Sequence, residues 1–354
     1  MLHAHRGDAS DADWKMSARI DPHWTYRGLP AVRMENRWMA VEVLPDTGAK
    51  ILRLIDKVAD RNVLWENPRI PPHRAPVFAS MDDHWSGGWD EIFPGGAPST
   101  DRYGEASPYM GELWSAVGWQ WRAEASRDGV TLTCWVETPI TPARFTRVLR
   151  LTNDEPVLRS DIRLEHIGTM PFDYCLGTHP SLAISPRHRF DVPGTNVEVD
   201  EFGGERRLGE RGDRYTWPML RLRDGTTVDV RRIQGPEIRS FALHYVTGLT
   251  AGWVACTDTS IHRGFGLVFD RDLFQVVWLW QVFGGWRGYY HAAMEAWTSW
   301  PGALADAVKS GRAREMKPGD VLETTLHAVV FGGVDAVAEL RADGSVVEAR
   351  EIDH

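Results

Sequence analysis

The sequence predicts an all-β protein, a large antiparallel β-sandwich with few short helices, and three observations carry that prediction. Apolar and polar residues alternate with period two in many short runs, the mark of half-buried strands. Asp-Gly pairs at Asp128-Gly129, Asp224-Gly225 and Asp343-Gly344 sit between such runs. There Gly accepts the positive φ of a hairpin turn at no steric cost. Helix signal is scarce, and strands without intervening helices imply antiparallel sheets packed as a sandwich or barrel.

Taken along the chain, residues 1–22 are polar and read as a loosely ordered tail. Met39 to Leu44 is the first clear strand signal. In Thr131 to Glu137 the neighbours Val130, Leu132, Cys134 and Val136 point one way, and Thr131, Thr133, Trp135 and Glu137 the other. Phe145 to Leu151, Asp161 to His166, Thr226 to Arg231 and Leu322 to Val330 alternate in the same manner. The best helix is Pro301 to Ser310, with Pro at its start, Gly311 past its end and an apolar stripe of Ala303, Leu304, Ala307 and Val308. No repeat of propeller period and no Pro-rich or Gly/Ser-rich linker divides the chain. Residues 23–354 therefore read as one domain.

The 354 residues are 43% hydrophobic and 25% charged, an ordinary globular balance able to build a core without staples. Forty Lys and Arg against 49 Asp and Glu give a net charge of −9. That balance argues against nucleic-acid partners and anionic membranes. Cys134, Cys175 and Cys256 are odd in number and far apart, without a Cys-x-x-Cys pair. Neither a disulfide framework nor a cysteine metal site is expected, and a reducing compartment fits. The first 20 residues lack an apolar signal-peptide core, and no run approaches the roughly 20 apolar residues of a membrane helix. A cytoplasmic protein is expected. Trp is unusually abundant, 17 residues against 12 Phe and 8 Tyr. A large β core uses some of these, and platforms for sugar rings would use others.

Phosphate-binding, dinucleotide, nucleophile-elbow and H-E-x-x-H motifs are missing. Three clusters of acids, histidines and tryptophans remain. Asp82 to Gly96 packs Trp85, Trp89 and the carboxylates of Asp82, Asp83, Asp90 and Glu91 into a Gly-rich segment that reads as a loop or an irregular edge. Gly177 to Leu182 carries His179, held extended by Pro180. Val276 to Glu295 runs from an apolar strand through Gly284-Gly285-Trp286 to a second apolar run. Glu295, ending that run, stands where burial can raise its pKa.

Together these clusters resemble the aldose 1-epimerase (galactose mutarotase-like) superfamily. VEVLPDTGAKILRLIDKVADRNVLW resembles its opening strands; GGWDEIFPGG, GELW (Gly111 to Trp114) and THP (Thr178 to Pro180) resemble its central motifs. VVWLWQVFGGW, MEAWTS and MKPGD (Met316 to Asp320) resemble its C-terminal part. The likeness spans roughly residues 30–335 and is carried by order and spacing. It implies the galactose mutarotase-like supersandwich and interconversion of the α and β anomers of a free monosaccharide. By the resemblance, His179 would protonate the ring oxygen and Glu295 would take the proton of the anomeric hydroxyl. No metal, nucleotide or other cofactor is called for. Arg74 and His84 are candidates for holding sugar hydroxyls, and Asp90 and Glu91 for accepting hydrogen bonds from them. Trp89, Trp278 and Trp286 are candidates for stacking on the ring. Arg74 and Arg287 leave room for an anionic sugar. Met110 stands where related sequences often have His.

Two other readings stay open. A glycoside hydrolase or lyase of the same fold would pair carboxylates such as Asp83 and Glu295. A non-catalytic sugar-binding protein would keep the fold alone. The expected partner is a small-molecule sugar, and an exposed edge strand gives two copies a way to pair as a homodimer.

Overall fold

The computed structural model describes residues 17–204, 208–222 and 224–349. Two antiparallel sheets face each other, one of twelve strands and one of eight. The larger runs from the edge strand Arg19–Tyr26 through Leu29–Glu35, Met39–Leu44 and Lys50–Asp56 to its centre. There Trp89–Ile92, Gly177–Leu182, Tyr290–Trp297, Val276–Phe283 and Ser240–Thr247 lie side by side. The smaller sheet carries Gly129–Glu137, Ala143–Thr152, Val157–His166 and Val321–Gly332. The edge strand begins inside the stretch expected to be a tail, and residues 1–16 lie outside the described residues. Among the described residues no helix is long and apolar enough to cross a membrane.

Period two decides which side chains meet between the sheets. Leu279, Met294 and Ala296 of the large sheet join Leu132, Phe145, Leu149, Leu164 and Val330 of the small one in a single core. The expected helix forms over Leu304–Lys309. The Asp82-to-Gly96 segment departs from the loop reading: it holds a helical turn, Met81–His84, and the strand Trp89–Ile92. That strand is buried on both faces, so polarity does not alternate along it.

One charged pair sits inside the core. Arg147 of the small sheet reaches Glu91 of the large one at 2.8 Å, both almost wholly buried. Arg147 also donates to Ser160 Oγ and lies over the Trp89 ring. Burial pushes the Glu91 carboxyl up to about 7, against the pull of Arg147 and the Thr178 hydroxyl.

Candidate active site

The outer face of the large sheet's central strands builds the site. His179 pairs with Asp90 on one side, and on the other its register sets it across from Glu295. Residues directly opposite on one face hold their Cβ atoms about 5 Å apart. The two side chains meet there, with His179 Nε2 at 3.5 Å from Glu295 Oε1. Pro180 has no N–H to give, and the ladder between these strands skips from Thr178 to Ser181.

Both groups are buried, and burial alone moves each toward its neutral form. It pushes the Glu295 carboxyl up to about 8, opposed by the Trp297 indole that donates to Oε2 at 2.7 Å. It holds the His179 imidazole down to about 4, opposed by the nearby Asp90 carboxylate. Asp90 is itself bound by Lys50, whose Nζ donates at 2.5 Å and also reaches the Gly87 carbonyl at 2.7 Å. Between these values the pair carries one proton. The contact then joins a carboxyl and an imidazole that exchange it, rather than a fixed ion pair.

The pair opens into a cavity of about 230 Å³, walled by Trp85, Trp278, Trp280, Tyr109 and Tyr245, with Met81, Met110 and Leu243 between them. Trp278 is stacked flat on Trp297, centroids 3.8 Å apart at 10°, and donates to the Ser299 carbonyl. Tyr245 donates to Asp200, which also accepts from Arg211 Nε at 3.0 Å, and all three line the cavity. Met110 faces the cavity beside Gly111. Gly111 has φ +68, and a Cβ there would lie 2.2 Å from the Phe93 carbonyl oxygen. The next residue, Glu112, accepts from the Ile140 and Thr141 amides, so GELW holds a loop in place.

The structure thus brings His179, Glu295 and Trp278 to one cavity and sets Asp90 beside His179. The remaining sequence candidates lie elsewhere. Trp89 and Glu91 alternate with Asp90 onto the opposite face, where they pack between the sheets. Arg74 is exposed and paired with Asp46 at 2.8 Å, over a separate depression beside Trp114 and Trp119. His84 bonds His73 at 2.7 Å instead of facing the cavity. Trp286 packs behind Trp280, and Arg287 binds Asp83. Sequence reasoning did not single out Asp200, Arg211, Tyr245 or Trp280; the first two lie in a segment outside all three clusters and carry no motif. Trp280 could have been found, because it is in phase with Trp278 on one strand.

Gly177 makes the pair's support possible. It lies opposite Trp297, and a Cβ there would fall 2.2 Å from the indole ring. Gly177→Ala is expected to cost about 1–3 kcal/mol by overpacking and to pull Trp297 off Glu295. Thermal denaturation and the activity assay below check both effects.

By sequence, no family profile matches the chain, and no match is found among curated proteins. Solved structures do match. A candidate aldose 1-epimerase from Klebsiella pneumoniae aligns with TM-score 0.69 and 13% identity, over 88% of this chain and 83% of that one. A galactose mutarotase-like protein from Clostridium acetobutylicum gives TM-score 0.63 and 12% identity, over 90% and 99%. A galactose mutarotase related enzyme from Lactobacillus acidophilus gives 0.57 and 13%, over 85% and 97%. With its two facing antiparallel sheets and alignment to these structures over 85–90% of its length, the chain has the galactose mutarotase-like fold.

Proposed function

We propose that the protein is a mutarotase, an isomerase that interconverts the α and β anomers of a free monosaccharide. The observation that carries this reading is the 3.5 Å spacing of His179 Nε2 and Glu295 Oε1 at the floor of a sugar-sized cavity. The anomeric hydroxyl and the ring oxygen sit on one carbon, closer together than that gap. The anomeric hydroxyl can therefore donate to Glu295 while the ring oxygen accepts from His179.

In the minor form that has the shared proton on His179 instead of Glu295, the Glu295 carboxylate removes the proton from the anomeric hydroxyl. The C1–O5 bond breaks, its electron pair goes to O5, and O5 takes the proton of His179 Nε2. C1 is now an aldehyde carbon. Rotation about C1–C2 presents its other face, O5 adds again, and both protons return along the same paths. The shared proton makes the cycle self-restoring, since one residue always lacks what the other holds. The Trp297 indole orients the carboxylate, and the Asp90 carboxylate favours the imidazolium that the first step consumes.

Two-dimensional exchange NMR on equilibrated aldoses tests the reading. Exchange faster than the spontaneous rate for at least one sugar is the expected result; none across gluco, galacto, manno and xylo configurations would sink it. The pH dependence is also expected to have a set shape. kcat/KM should hold level between about pH 4 and about pH 8, where the pair carries one proton. Below that range no base remains, and above it no acid remains, so the rate falls on both sides.

A further inference from the structure

The cavity's charges are unequal. Among the described residues it is lined by Asp82, Asp200, Arg211 and the His179–Glu295 pair; that pair shares one proton and is neutral overall, so with Asp200 set against Arg211 the carboxyl of Asp82 is left over. Arg211 is already bound to Asp200 through Nε at 3.0 Å and Nη2 at 2.9 Å. The nearby cations are engaged in the same way: Lys50 on Asp90, Arg147 on Glu91, Arg287 on Asp83. Burial pushes the Asp82 carboxyl above its usual range, outweighing the field of Arg287, which also donates to the Asp82 carbonyl at 2.6 Å, and a hydrogen bond with Tyr109. His179, 2% exposed with Nδ1 lacking a hydrogen-bond partner among the described residues, opens into the same space. The remaining wall is aromatic, and indole and phenol faces attract cations.

We propose that this cavity takes a cationic aminodeoxy sugar, held as its ammonium form between Asp82 and the aromatic wall, in preference to a uronate or a sugar phosphate. The proposal rests on the mutarotase reading and narrows its substrate. It also reverses the anionic-sugar expectation, whose two arginines do not line the cavity. An anionic substituent would enter a low-dielectric space already holding surplus negative charge, whereas an ammonium group neutralises it.

The test compares matched sugars on the wild type: glucose, glucosamine and glucuronate, then galactose, galactosamine and galacturonate. Exchange NMR gives kcat/KM, and calorimetry gives affinity. In at least one series, the amino sugar should exceed the neutral sugar by about tenfold in kcat/KM, and the uronate should fall about tenfold below it. Asp82→Asn should collapse the amino-to-neutral ratio toward one. A uronate that matches or beats the neutral sugar, or an amino sugar that does not exceed it, overturns the proposal while leaving mutarotation standing. Absent turnover on every sugar overturns the mutarotase reading instead, and calorimetry then decides the charge preference alone: tighter amino-sugar binding upholds it, and tighter uronate binding ends it.

Discussion

Glu295→Gln is expected to lower anomer exchange by about 10²–10⁴-fold, the range for losing a positioned general base. The amide keeps the shape and can still accept from Trp297, so folding and sugar affinity should change little. His179→Gln should cost a similar factor by removing the acid. The double variant should lose no more than the worse single one, because neither residue has a task once its partner is gone. Exchange NMR on the three variants, with sugar binding measured by calorimetry, separates this from a structural role. Additive losses, or losses confined to KM, would contradict the paired mechanism.

The largest effect on stability should come from Arg147→Met. Arg147 and Glu91 are each at most 2% exposed, 2.8 Å apart between the sheets. Removing one partner of such a pair leaves an uncompensated buried charge, at a cost of about 3–5 kcal/mol. Glu91 already titrates near 7 with Arg147 in place, so without it the carboxyl should be neutral across the ordinary pH range. Adding Glu91→Gln should recover much of the loss, since no carboxyl then has to be held protonated to stay buried. Urea titrations of the two variants give the comparison. A fall under about 1 kcal/mol for Arg147→Met would mean that Glu91 escapes to solvent or to another donor.

Much of this architecture was legible before any coordinates, for identifiable reasons. Strands with one wet face, such as Gly129–Glu137, show their alternation openly. Strands buried on both faces do not, so from sequence Trp89–Ile92 looks like a loop or an irregular edge. The same omission misdirected its side chains. Once WDEI is a strand, Trp89 and Glu91 must point away from Asp90, and only Asp90 can stand beside His179. Arg147 was legible in principle: it keeps the phase of Phe145, Leu149 and Leu151, a charge on the apolar side of its strand. His179 and Glu295 came from the order of motifs along the chain. Their meeting depends on the pairing of two strands far apart in sequence, which no local pattern encodes. Tyr245, Asp200 and Arg211 share that dependence and carried no motif to betray it.

The stacked Trp278 and Trp297 rings have an optical consequence. Two indoles held face to face couple their electronic transitions, and the coupled pair gives a signed doublet in the far-ultraviolet circular dichroism that separate rings lack. One ring walls the cavity while the other is tied to the Glu295 carboxylate. The protein therefore carries its own spectroscopic label at the candidate site, and on the proposed function sugar occupancy is expected to be readable without a dye or a coupled assay.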